Sequence, residues 1–90
     1  MRNKTIYFLG IGGIGMSALA QYFLQRGDTV CGYDLTPSAV TEMLQRKGAD
    51  IHFEGDISKI SENVDFVVYT PAVPEDFVEY QYIVDQGVPM

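Results

Sequence analysis

Thr5-Ile6-Tyr7-Phe8-Leu9-Gly10-Ile11-Gly12-Gly13-Ile14-Gly15 is the stretch that decides the fold. Its first five residues form a compact apolar run, the pattern of a strand buried on both faces. Its last six satisfy G-x-G-x-x-G, and a helical pattern over 14–26 follows directly. In that setting each glycine has a physical task. Gly10 allows the tight turn out of the strand, Gly12 leaves room for a phosphate, and Gly15 lets the helix pack closely on the sheet. The unpaired N–H groups of the first helical turn then turn the positive end of the helix dipole toward an anion. The motif leaves the ligand open, since NAD, FAD and UDP-sugars all carry a diphosphate. A glycine-rich turn without a ligand is the plainer alternative.

Working outward, strand-like and helix-like runs alternate. In the first helix Ile14, Leu19, Tyr22 and Phe23 fall on one face, and Gly27 supplies the stop. Residues 29–33 read as a second strand. A second helix over 38–47 has Pro37 near its first turn, Val40, Met43 and Leu44 at helical spacing, and Gly48 at its end. A short third strand covers 50–53, and 55–63 is polar and irregular, with room for one helical turn. Residues 64–69 read as strand four. A third helix over 75–86 opens on Pro74-Glu75-Asp76 and closes at Gly87. Val88-Pro89-Met90 begins a fifth strand, which leads to the expectation that this is a piece of a longer protein. Alternation with short turns implies right-handed βαβ units. The expected fold is therefore α/β: a Rossmann-like, doubly wound parallel sheet of about five strands in the order 3-2-1-4-5, in three αβα layers.

Size and composition bound the function. Ninety residues make one domain, here 1–90. The net charge of −6, with only six scattered Lys and Arg, argues against nucleic acid, whose phosphates need a basic surface. An acidic domain still holds a phosphorylated ligand if backbone N–H groups supply the positive field. The single cysteine, Cys31, excludes a disulfide framework and any multi-cysteine metal site, and reads as a small buried hydrophobe. No apolar run approaches the roughly 18 residues that span a bilayer. Met1-Arg2-Asn3-Lys4 resembles the basic start of a signal peptide. The apolar run after it breaks at Gly10 and Gly12 without a cleavage site, so a strand and a cytoplasmic protein are expected.

Other residues carry weaker signals. Asp34 ends strand two, nineteen residues after Gly15, where a dinucleotide fold places the carboxylate that accepts from ribose hydroxyls. A strand-end aspartate capping the turn before Pro37 is its plainer reading. Tyr69-Thr70-Pro71-Ala72-Val73-Pro74 leaves strand four at the crevice, and is equally well a proline-stiffened turn. His52 has no metal-ligating neighbour at suitable spacing and reads as structural or surface. Glu62 and Asp65 read as solvated turn carboxylates. Phe8, Phe23, Phe66 and Tyr69 read as core or sheet residues. Tyr80 and Tyr82 are candidates to face a neighbouring domain.

The run from Ile6 to Ala20, with its core Gly-Ile-Gly-Gly-Ile-Gly-Met-Ser over 10–17, resembles the opening of the UDP-N-acetylmuramate–L-alanine ligases of the Mur ligase family. Gly32-Tyr33-Asp34, Ala39-Val40-Thr41 and the run from Val67 to Asp76 agree in order and spacing, so the resemblance covers nearly the whole chain. It implies a three-domain enzyme of peptidoglycan synthesis, with an N-terminal domain for the UDP moiety, a central ATP-binding domain and a C-terminal domain for the amino acid. Such enzymes form an acyl-phosphate of the muramoyl carboxylate, which L-alanine attacks. The resemblance implies that Gly12, Gly13, Ile14, Gly15, Met16 and Ser17 hold the diphosphate. It sets Asp34 and Leu35 by the ribose or uracil, and Thr70, Pro71, Ala72 and Val73 along the other wall.

Two departures limit the transfer. Family members often carry Gly-His after the third strand, where this chain runs His52-Phe53-Glu54-Gly55-Asp56. No G-x-x-x-x-G-K-[ST] loop occurs. The expectation is therefore a UDP-N-acetylmuramate-binding domain with no catalytic residue or metal ligand of its own, ATP and Mg2+ belonging to the central and C-terminal domains. The alternatives are an NAD-binding module of an oxidoreductase, a nucleotide-sensing domain, and a ligand-free interaction domain. Gly-Met-Ser after the loop and Thr-Pro-Ala-Val-Pro after strand four fit the ligases and have no special purpose in an NAD site.

Overall fold

The computed structural model describes residues 3–90; Met1 and Arg2, part of the signal-like start, lie outside the described residues. In chain order come β1 (Thr5–Leu9), α1 (Ile14–Gln25), β2 (Thr29–Tyr33), α2 (Ala39–Arg46), β3 (Asp50–His52), a 3-10 turn (Ile57–Lys59), β4 (Phe66–Tyr69) and α3 (Val78–Gln86). The strands form one parallel sheet in the order β3-β2-β1-β4. Alternate residues of β1 enter two cores. Ile6 and Phe8 pack with Ala20, Val30, Leu44 and Ile51 under α1 and α2. Tyr7 and Leu9 pack with Cys31, Ile60, Val67 and Ile83 on the α3 side. The doubly wound, three-layer expectation holds.

Among the described residues the sheet has four strands rather than five. The segment 88–90 runs beside β4, and the Val67 N–H donates to the Pro89 carbonyl at 2.8 Å. Proline has no N–H to return, so the ladder does not propagate there.

The helices differ from expectation in two ways. α1 does not bury Ile14, Leu19 and Tyr22, which are 94%, 38% and 51% exposed. It turns Ser17 and Ala20 inward, flanked by Met16, Phe23 and Leu24. Small residues at i and i+3 bring this helix close to the sheet, and the bulkier residues, which dominate the periodicity, face outward. α3 begins at Val78, three residues later than expected. Phe77 takes an extended N-cap conformation that sets its ring 4.6 Å from that of Tyr33.

α2 begins on a reciprocal cap, with the Thr41 N–H donating to Ser38 Oγ and the Ser38 N–H donating to Thr41 Oγ1. Gly27, Gly48 and Gly87 follow the helices with positive φ, as the expected stops require. Cys31 is buried. Asp65 corrects a sequence expectation: its carboxylate accepts from the Thr5 N–H at 2.7 Å, so with Asp28, which accepts from the Lys4 N–H, it holds the start of β1. Tyr69 is 43% exposed at its strand end and meets Tyr80 edge to face. Tyr80 and Tyr82 pack partly against the α3-side core.

Candidate functional site

The glycine loop is fixed from below by β2. The N–H groups of Gly10 and Ile11 both donate to the Tyr33 carbonyl, and the Gly13 N–H donates to the Gly10 carbonyl. Gly10 has φ +90, and a Cβ there would lie 2.5 Å from Thr70 Cγ2, so both the turn and the approach of the β4 loop require glycine. The Gly12 N–H donates to Asp34 Oδ1 at 3.1 Å. A Cβ on Gly12 would sit 3.1 Å from the Asp34 carboxylate and from Thr41 Cγ2. Asp34 also approaches the Thr36 N–H at 3.4 Å, so it caps its own turn as well as holding the loop.

α1 starts at Gly13 with no side-chain cap and no acidic residue in its first turn. Among the described residues, the N–H groups of Ile14, Gly15 and Met16 have no hydrogen-bond partner. Three donors and the positive end of a twelve-residue helix thus open outward together. Gly15 corrects the sequence reading: among the described residues a Cβ there would meet nothing within 4 Å, so it does not serve helix–sheet packing.

Beside this helix start lies a cleft of about 580 Å³, lined by Gly10, Gly13, Tyr33, Asp34, Leu35, Thr70, Ala72, Val73, Pro74 and Phe77. Of the residues expected at the site, Gly13, Asp34, Leu35, Thr70, Ala72 and Val73 converge there. Gly12 lies under Asp34, while Ile14 and Gly15 are exposed at the adjoining helix start. Met16 packs on the core. Ser17 is 8% exposed, and its hydroxyl donates to the Ile14 carbonyl. Pro71 faces a second cavity of about 390 Å³ with Tyr69, Glu75 and Tyr80.

Among the described residues, no lysine or arginine lines the main cleft. Negative charge on a ligand must therefore be met by backbone N–H groups, while Leu35, Val73 and Phe77 offer an apolar surface. Burial, then the charges of Glu79 and Asp34, raise the pKa of Tyr33, keeping its hydroxyl protonated. The arrangement provides N–H donors, a carboxylate acceptor and an apolar wall, which are means of holding a ligand.

Sequence reasoning missed Tyr33, Pro74 and Phe77 in the cleft wall, and a polar network behind it. Glu79 is fully buried. It accepts from the Tyr7 hydroxyl, from the Asp56 N–H at 2.9 Å, and meets His52 Nε2 at 2.7 Å. Tyr7 Oη also lies 3.2 Å from His52 Nε2. The Tyr7 hydroxyl gives its proton to Glu79, so two acceptors face Nε2, and the hydrogen-bond network assigns the ring proton to that nitrogen. Burial first, then Glu79, hold the Tyr7 hydroxyl protonated far above its ordinary range. The available signal was positional: Glu79 stands four residues before Ile83, on the inward stripe of α3.

The model of the Mur ligase family, catalytic domain, matches residues 5–90. The UDP-N-acetylmuramate–L-alanine ligase of Porphyromonas gingivalis is 51% identical over 89 residues, covering 93% of this chain and 20% of that protein. Its counterpart in Parabacteroides distasonis is 52% identical over 92 residues, covering 94% and 20%. The crystal structure of the UDP-N-acetylmuramate-alanine ligase from Thermotoga maritima superposes with a TM-score of 0.87 at 34% identity, over 94% of this chain and 20% of that one. The chain thus spans about a fifth of the length of the relatives it matches.

Proposed function

Because the chain belongs to the Mur ligase family, we propose that it is the domain that holds the UDP moiety of UDP-N-acetylmuramate while L-alanine is ligated to the muramoyl carboxylate in peptidoglycan synthesis. The observation that carries this reading is the uncapped start of α1 opening beside a cleft whose lining, among the described residues, has no basic side chain. The diphosphate takes the free N–H groups of Ile14, Gly15 and Met16, with the helix dipole supplying the field. The uridine enters the cleft between Asp34 and Leu35 on one side and Thr70, Ala72 and Val73 on the other.

The residues of this chain do not fit ATP or its metal. It has no Gly-Lys-Ser/Thr phosphate loop, and among the described residues no three His, Cys, Asp or Glu side chains gather to hold a cation. In this reading ATP, Mg2+ and L-alanine are bound by the rest of the full-length enzyme, an ATP-dependent ligase of the cytoplasm. Amide formation takes place there, and the isolated chain is inactive. Among the described residues no helix is long and apolar enough to cross a membrane.

Calorimetric titration of the chain with UDP-N-acetylmuramate, UDP and NAD tests the proposal. Both UDP compounds bind more tightly than NAD if it is right; tighter binding of NAD overturns it.

A further inference from the structure

We infer that Glu79 and His52 form a positioning pair that sets the glycine loop and the cleft for their ligand, an inference that rests on the UDP reading above. Glu79 lies in the first turn of α3, two residues after the cleft-wall residue Phe77. With no exposure at all, its carboxylate joins α3 to Tyr7 of β1, to His52 at the end of β3, and to the Asp56 N–H beyond it. Gly55 permits that last approach, since a Cβ there would lie 2.9 Å from the Phe77 ring.

From His52 the path runs on to the loop. The His52 carbonyl accepts from the Asp34 N–H at 3.1 Å, and the Asp34 carboxylate accepts from the Gly12 N–H at 3.1 Å. The Tyr33 ring stands 5.8 Å from that of His52 and 4.6 Å from that of Phe77. One continuous path therefore connects α3, behind one wall of the cleft, to the glycine loop on the other. Stability alone is a poor reason for it, because well-packed apolar residues often replace a buried pair at no loss. A pair that fixes where two walls stand has a reason to be kept.

Coupling of this kind is reciprocal: if the pair sets ligand affinity, the ligand must alter the pair by the same factor. A merely structural pair makes no such response. The chain has one histidine, so imidazole 15N resonances report His52 alone, and His52 does not line the cleft. The experiment is a UDP titration of the 15N-labelled chain, following the His52 ring nitrogens and the amides of Gly12, Gly13 and Gly15. The expected result is that both sets move and saturate together. Loop amides that shift while the ring nitrogens stay fixed overturn this inference alone. Silence at the loop overturns the UDP reading and this inference with it. Glu79→Gln should weaken UDP binding at least about fivefold with its other amides in place; undiminished affinity overturns the inference. Should that variant fail to fold, the ring-nitrogen titration decides by itself.

Discussion

The Gly12 N–H donates to the Asp34 carboxylate at 3.1 Å, and a Cβ on Gly12 would reach the same carboxylate at 3.1 Å. The bond and the missing side chain go together, because a side chain at position 12 would crowd the carboxylate that the loop's own N–H holds. Gly12→Val should push Asp34 and Thr41 aside and break a charge-assisted hydrogen bond. A loss of about 1.5–3 kcal/mol in UDP affinity follows, roughly ten- to a hundredfold. Calorimetry checks the affinity, and an amide spectrum retained outside the loop checks the fold. Unchanged affinity would remove the loop from the site.

Gly15 separates ligand from fold. Nothing among the described residues occupies the space its Cβ would take, and alanine suits a helix better than glycine by roughly 0.5–1 kcal/mol. Gly15→Ala is expected to leave stability unchanged or slightly raised while weakening UDP. Thermal denaturation beside calorimetry tests the split. A destabilised variant would show that the glycine serves packing after all.

Glu79→Leu should be among the most damaging substitutions in the α3-side core. It strands the Asp56 N–H and the Tyr7 hydroxyl without their acceptor and takes the nearer of two acceptors from His52 Nε2, at a cost of about 3–5 kcal/mol. Tyr7→Phe removes one donor and should cost less, about 1–3 kcal/mol. Urea denaturation of both variants gives the order; a larger loss for Tyr7→Phe would contradict the assignment of Glu79 as the hub.

Alkaline pH should unfold the chain through its buried acids. Burial raises the Cys31 thiol from its ordinary 9.0 to about 11, and Tyr7 shifts in the same direction. Both hold their protons more tightly folded than unfolded. Stability is therefore full below the ordinary thiol value and lost as pH rises toward about 11. Denaturant midpoints measured across that window should fall, and Cys31→Ala should flatten the early part of the decline. A midpoint that rises with pH would contradict the shifts.

The parallel sheet, its strand order and the helix stops were legible because each rests on local pattern: apolar runs for strands, glycines with positive φ after helices. The inward face of α1 was not, because Ser17 and Ala20 are small and carry little hydrophobic signal beside Leu19 and Tyr22. The lining of the candidate cleft was legible where it is backbone, in the glycine loop and the turn after β4. Phe77 and Glu79 were not, since their roles depend on Tyr33, His52 and Asp56, which are distant in sequence. Gly15 matches its motif, yet among the described residues nothing packs where its Cβ would stand, so its expected packing role is absent.

A crystal structure of the chain with UDP bound would locate the diphosphate. Diphosphate oxygens are expected within hydrogen-bonding reach of the Ile14, Gly15 and Met16 N–H groups, with the uridine between Leu35 and Val73. UDP bound elsewhere, with those three N–H groups facing only water, would contradict it.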